Sequence, residues 1–262
     1  MNSFLLCVPL LLFAGDALAW GLQTHLFFAQ QVLFAVPLLD PEIRRAALRF
    51  PRLVLSGACL PDLALAGRAL GIRVFRRNHD WSSLRRLAAA NCDEERAVAL
   101  GYASHLMADV VAHNRFVPEH ERRVADVAHA THALCEWAMD DYLKPWVCAM
   151  PGELLAAERR PLAEIVARRW RCGEPLALRV IDWLSGADRL LRGARIPGIC
   201  RAILRFVDRS LAPRFDAYVR ETSALLAQVG PVLEGRQPAA EPEPGTPCAS
   251  WCAGKLLPQP PL

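Results

Sequence analysis

Beyond residue 20 the chain has no apolar run long enough to span a bilayer, no convincing strand alternation, no internal repeat and, after His132, no histidine. The first absence excludes a membrane-spanning protein once a leader is removed. The second and third exclude a sheet-based fold and a solenoid, because apolar residues recur at helical spacing almost everywhere. An all-α fold is expected. Cysteine is present, nine in all, but Cys59, Cys92, Cys135, Cys148, Cys172 and Cys200 are scattered over apolar helical stretches, so no dense disulfide framework defines the fold. Some can pair and others can simply be buried. The formal net charge of +4 is mild. It favours approach to anionic lipid or nucleic acid and selects neither.

Residues 1–19 read as a secretory signal: an apolar stretch from Phe4 to Ala14, then the small-x-small ending Ala17-Leu18-Ala19. Cleavage there makes Trp20 the first residue, with a free amine, and removes only one charge, Asp16. The product is secreted or periplasmic. A single helical domain over residues 20–229 follows, long enough for a sizeable core. From about Gly230 the chain turns Pro-rich, through Glu241-Pro242-Glu243-Pro244 to Pro258-Gln259-Pro260-Pro261, and residues 230–262 read as a flexible tail in which Cys248 and Cys252 can close a small loop.

Within the domain, a helix is expected from about Thr24 to Val36 and a second opening at Asp40-Pro41-Glu42. A polar, irregular link containing Gly57, Pro61 and Gly71 leads to His79. Asn91-Cys92-Asp93-Glu94 reads as a capping box for a helix through Gly101 to about Ala112. Another opens at Pro118-Glu119 and ends before Pro145. Three more are expected near 152–169, 175–192 and 197–229, with Pro213 kinking or breaking the last.

All seven histidines lie between His25 and His132. His105, Asp109 and His113 are spaced four and four, one stripe on a helix, and His132 with Glu136 repeats the step on the next. At about 1.5 Å per residue, His105 and His113 lie roughly 12 Å apart along the axis, too far to share an ion with bonds of about 2 Å. If both bind metal, at least two ions are needed. Asp109, between them, has two oxygens and can bridge. Burying such a set without metal leaves costly unsatisfied polar atoms, and imidazole with carboxylate is what catalytic zinc takes. His120 and His129 fall outside the pattern; Asp80 and Asp141 read as surface or capping residues.

With Trp20-Gly21-x-x-Thr24-His25, Gly57-x-x-x-Pro61-Asp62, His79, His105-x-x-x-Asp109-x-x-x-His113 and His132-x-x-x-Glu136 in this order, the chain resembles the zinc-dependent phospholipase C family, whose helical fold is shared with single-strand-specific zinc nucleases. The resemblance covers roughly residues 20–145. It implies three zinc ions: one on Asp62, His79, His105 and Asp109; one on the Trp20 amine and carbonyl, His25 and the second oxygen of Asp109; one on His113, His132 and Glu136. It also implies that zinc neutralises a phosphodiester and supplies hydroxide near neutral pH, with Asp62 orienting the water or taking its proton, and that the glycerol-side P–O bond of a phospholipid is cleaved.

Departures leave the head group open. Relatives that prefer choline lipids carry an acid shortly after the Trp and an aromatic just after the Asp, where this chain has Gln23 and Leu63. A nuclease on the same metals is the alternative. Thr24 and Glu136 stand where those relatives more often have Gly and Asp, and the stacking platform that a nuclease needs would fall to Phe75, Trp81 and Phe116. A third reading is a helical protein merely stapled by zinc. The expected partners are phospholipid or another phosphodiester, with transient membrane-surface contact, and nucleic acid second.

Overall fold

The computed structural model describes residues 21–124 and 128–236 with Ala240 and Pro242; within 121–132 it describes the backbone alone. Residues 1–19, expected from the sequence to be a leader, Trp20, the His129 and His132 side chains, and nearly all of the Pro-rich segment after 236 lie outside the described residues. What is described is helical, and among the described residues there is no strand.

The elements are α1 Leu22–Phe34, α2 Pro41–Arg49, α3 Pro51–Gly57, α4 Leu63–Ala69, α5 Trp81–Ala88, α6 Asp93–Val111, α7 Val117–Val124, α8 Ala128–Leu143, α9 Pro151–Ala157, α10 Arg159–Trp170, α11 Glu174–Gly193, α12 Ile196–Val207, α13 Leu211–Leu226 and α14 Val229–Leu233. Proline sets several starts. Pro41, Pro51 and Pro151 open their helices, where the missing N–H costs nothing. Asp40 caps α2 by accepting the Glu42 N–H at 2.9 Å.

Five local expectations need correction. The link before His79 is largely helical, in α3, α4 and a 3₁₀ turn at Arg73–Phe75. At the start of α6 the N-cap is Cys92, without a side-chain cap; Glu95, one residue beyond the expected box, takes the Asn91 N–H at 2.9 Å. The 152–169 segment divides at Glu158. The 197–229 segment breaks at 208–210 rather than at Pro213, which sits in the first turn of α13, where a helix tolerates it. Ordered helix also continues past residue 229 into α14, and the Ala240 carbonyl accepts the Trp81 indole N–H at 3.3 Å.

Helix α6 is the axis of the fold. Every residue from Ala97 to Val111 is buried, because α1, α2, α3, α5 and α13 pack around it. Two glycines set the closest crossing. A Cβ on Gly101 would lie 1.8 Å from the Val54 carbonyl oxygen, and one on Gly57 would lie 2.6 Å from that of Val98. The α3 and α6 backbones therefore touch, and this contact places the chain after α3 beside His105.

Beyond α6 the helix widens into a π turn, Ala112–Phe116, before α7. Pro118 explains it. A regular helix would drive its ring into the Asn114 carbonyl, and the Asn114 side chain instead donates to the Val110 carbonyl at 2.8 Å. His113 sits in this turn and is buried.

Candidate metal centre

The Gly57–Gly101 crossing determines how His105 is used. The Ala58 carbonyl lies 2.7 Å from His105 Nδ1, so this nitrogen carries the proton and donates, leaving Nε2 as the basic atom. Nε2 faces Asp109 Oδ2 at 2.9 Å, one helical turn on.

Three further segments converge on Asp109. From the first turn of α1, His25 places Nε2 3.3 Å from Asp109 Oδ1, with its ring stacked on that of His105 at 3.5 Å between centroids. From the loop before α5, His79 places Nε2 3.1 Å from Asp62 Oδ1 and 3.8 Å from Asp109 Oδ2. Asp62 stands at the N-cap of α4 but caps nothing there, so its carboxylate serves the cluster. Asn78 holds that loop: it donates to the Leu60 carbonyl at 3.3 Å, accepts the Trp170 indole N–H at 2.8 Å, and takes the Tyr102 hydroxyl on its own carbonyl. Next to His79, Asp80 caps α5 through the Ser83 N–H at 3.1 Å, the capping role expected of it.

Two donor triads result, each with ligand atoms within 4.8 Å of one another: His25, His105 and Asp109, and Asp62, His79 and His105. His105 borders both. The two oxygens of Asp109 face different imidazoles, the disposition that a bridging carboxylate requires.

The chemistry of these groups fits zinc. Asp109 is fully buried, and neither oxygen accepts a hydrogen bond among the described residues. Burial pushes its carboxyl above the usual range despite the opposing effect of His105 and His79. Glu136, one turn after His132 on α8, is buried as well; burial first, and then the negative charges of Asp62, Asp109 and Asp140, push it well above that range. Carboxylates gathered in one apolar interior with imidazoles around them call for a cation, and nitrogen and oxygen donors of this kind suit zinc. His113 and Glu136 are buried as well, but no third donor group is assembled among the described residues, which leave out the His132 side chain.

One participant was not anticipated. Asp140, a turn beyond Glu136 and wholly buried, accepts the Thr24 N–H at 2.8 Å, the Gln23 N–H at 3.3 Å and the Thr24 hydroxyl at 2.7 Å. It thus caps α1 from another helix, doing what Gly21 at the N-cap cannot. Arg192 of α11 donates to Asp140 at 2.5 Å, to Asp188 at 2.8 Å and to the Gln23 side-chain oxygen at 2.5 Å. Burial works against the guanidinium charge, yet the two carboxylates raise its pKa overall. A Cβ on Gly21 would lie 2.4 Å from the Asp140 carboxylate, so only glycine lets this clamp close. The four-residue step His132, Glu136, Asp140 was the signal in the sequence.

The clamp accounts for Gln23. Buried and held by Arg192, it belongs to the scaffold rather than to a head-group pocket, and Leu63 is likewise core. Phe75, Trp81 and Phe116 are buried too, which removes them as a stacking platform for bases. His120 is structural: buried, bonded to the Phe116 carbonyl at 2.8 Å and packed against Phe116, Phe215 and Tyr218. Asp141 pairs with Arg201 at 3.2 Å.

Imidazoles and carboxylates buried together on an all-α frame are the donor set of a helical zinc hydrolase. A model of the zinc-dependent phospholipase C family matches residues 24–166, more than half the chain, and the chain belongs to that family. The family is zinc-dependent, and phospholipid is the substrate class it implies. No curated protein and no solved structure matches the chain.

Proposed function

We propose that the protein is an exported phospholipase C that hydrolyses the glycerol-side P–O bond of a phospholipid and binds three zinc ions. Asp109 carries this reading, with both oxygens buried and turned toward different imidazoles. Asp62, His79, His105 and Asp109 would hold one ion. The Trp20 amine and carbonyl, His25 and Asp109 would hold the second, and His113, His132 and Glu136 the third. Zinc, when bound there, supplies positive charge for the phosphate and lowers the pKa of water.

The remaining work falls to the chain. Asp62 orients the attacking water and accepts its proton. The water oxygen bonds to phosphorus opposite the glycerol oxygen, the P–O bond breaks, and diacylglycerol leaves with a proton, giving the phosphorylated head group. The Ala58 carbonyl and the Asn78 network keep His105 and His79 in orientation, as outer partners do in metal sites. The Asp140 clamp holds His25 and the start of the domain against α8. Export is coupled to activation on this reading, because the Trp20 amine exists only after the leader is cut and the precursor cannot complete the zinc site shared through Asp109.

A substrate panel tests the reading: phospholipids of several head groups, single-stranded nucleic acid and a chromogenic phosphodiester, each with and without chelator. Chelator-sensitive release of diacylglycerol is expected. Cleavage of nucleic acid with no lipid turnover would replace phospholipase with nuclease, and full zinc occupancy without turnover of any substrate would leave only a zinc-stapled protein.

A further inference from the structure

One face of α12 takes no part in the chemistry described. Ile199, Ile203, Phe206 and Val207 are exposed, Phe206 to 90%. Their steps of four, three and one residues place them on one side of the helix, while Ile196, Cys200 and Leu204 turn into the core. A single exposed isoleucine needs no explanation, but a contiguous apolar stripe of this kind marks a surface that meets something.

Charge identifies the partner. Arg201 is tied to Asp141, and Asp208 is engaged by Ser210 and Arg214. On α12 and the residues flanking it, from Arg195 to Arg209, the remaining charges are Arg195, Arg205 and Arg209, all exposed and all positive. A second copy of the same face would bring like charges together, so self-pairing is disfavoured. An apolar face with a basic rim is what an anionic lipid interface takes up. Helix α12 also packs along α8, which carries Glu136 and Asp140.

We propose that α12 docks the protein on anionic phospholipid surfaces, inserting Phe206, Ile203 and Ile199 among the acyl chains while the three arginines meet head-group phosphates. This rests on the phospholipase reading for its biological sense but not for its test. The full-length, zinc-loaded protein is co-sedimented with phosphatidylcholine vesicles, with and without about one-third phosphatidylserine. Wild type should partition, more strongly with phosphatidylserine. The double variant Ile203→Ser/Phe206→Ser should lose about tenfold or more in partitioning, from two lost apolar side chains. Arg205→Gln/Arg209→Gln should reduce the phosphatidylserine preference by about fivefold per arginine. Hydrolysis of vesicles should fall in the serine variant, while turnover of a short-chain, monomerically dissolved phospholipid and the melting temperature stay at wild-type values.

Equal partitioning of wild type and the serine variant would overturn the proposal, as would a wild type that ignores both vesicles. So would a wild-type dimer that the serine substitutions split into monomers. Vesicle binding with no turnover of either lipid would leave docking standing and remove the phospholipase reading. Turnover of monomeric lipid without vesicle binding would do the reverse.

Discussion

Removing the carboxylate of Asp140 should damage the protein in two separable ways. Asp140→Ala strips the acceptor from the Gln23 and Thr24 N–H groups and from the Thr24 hydroxyl, and leaves Arg192 buried with Asp188 and the Gln23 oxygen. Loss of a helix cap costs about 1 kcal/mol, and breaking a buried ion pair about 3–5 kcal/mol. For a domain of this size each kcal/mol is worth about 2–4 °C, so a fall in Tm of roughly 10–20 °C is expected. Asp140→Asn keeps the volume and one acceptor for Thr24 but not the charge, and should lose about 2–3 kcal/mol, or roughly 5–10 °C. The second effect is local. His25 follows Thr24 directly, so loosening the first turn of α1 should weaken zinc on His25 and Asp109 by about 10–100-fold, as loss of an outer-sphere partner does. Asp188→Asn is the control. It removes a comparable charge from the same arginine but touches α11 and the Gly152 N–H rather than α1, so it should lower Tm and leave zinc affinity intact. Calorimetry together with titration against a chromophoric chelator reads both effects. An Asp140→Asn protein with unchanged Tm and zinc affinity, or an Asp188→Asn protein that loses zinc equally, would refute the clamp.

Other substitutions probe the centre itself. Asp62→Asn should keep most of the bound zinc and lose phospholipid turnover by about 10²-fold or more; unchanged activity would remove Asp62 from the chemistry. Gly101→Ala forces a Cβ to 1.8 Å from the Val54 carbonyl oxygen, and the separation of α3 from α6 should cost several kcal/mol and carry the Ala58 carbonyl off His105, seen as lost stability and weaker zinc binding. Burial raises the pKa of Asp109 and Glu136 in the zinc-free fold, from ordinary values of 3.8 and 4.5. The native state then binds more protons than the unfolded chain, so these groups lose stability as pH rises above about 4–5. The Tm difference between zinc-loaded and zinc-free protein should therefore widen from pH 5 toward neutrality, and a constant difference would contradict their burial as a charge-demanding pair. A protein with one extra residue before Trp20 should lose one zinc and much of its activity. Normal zinc content and turnover in that protein would make Trp20 only a boundary.

The pairing of His105 with Asp109 was legible because helical spacing is a local rule, whereas the π turn that carries His113 was not. His105 and Asp109 meet across one turn as the four-residue step requires, whatever surrounds them. The partners of that pair were not legible from local rules. Ala58 contributes a backbone carbonyl, which has no side-chain signature, and its position follows from two glycines 44 residues apart meeting at a helix crossing. Asp140 resembled any acid near the end of α8 until α1 was seen to begin against it. Helix α6 shows the same limit from another side. Buried all round, it carries little polar–apolar asymmetry, so its extent came from the capping pattern and its central place only from packing. Likewise Gln23 and Leu63 read in sequence as missing head-group contacts, whereas their burial makes them parts of the clamp and the core.

The central claim is that the buried imidazoles and carboxylates hold zinc in order to hydrolyse phospholipid. Its most direct test is a stepwise return of zinc to the chelated protein, with bound metal and diacylglycerol release measured on the same samples. Turnover should be absent without zinc and rise with loading to a plateau at three ions per chain. Lipid turnover that survives complete zinc removal, or zinc loading to saturation with no diacylglycerol released, would contradict it.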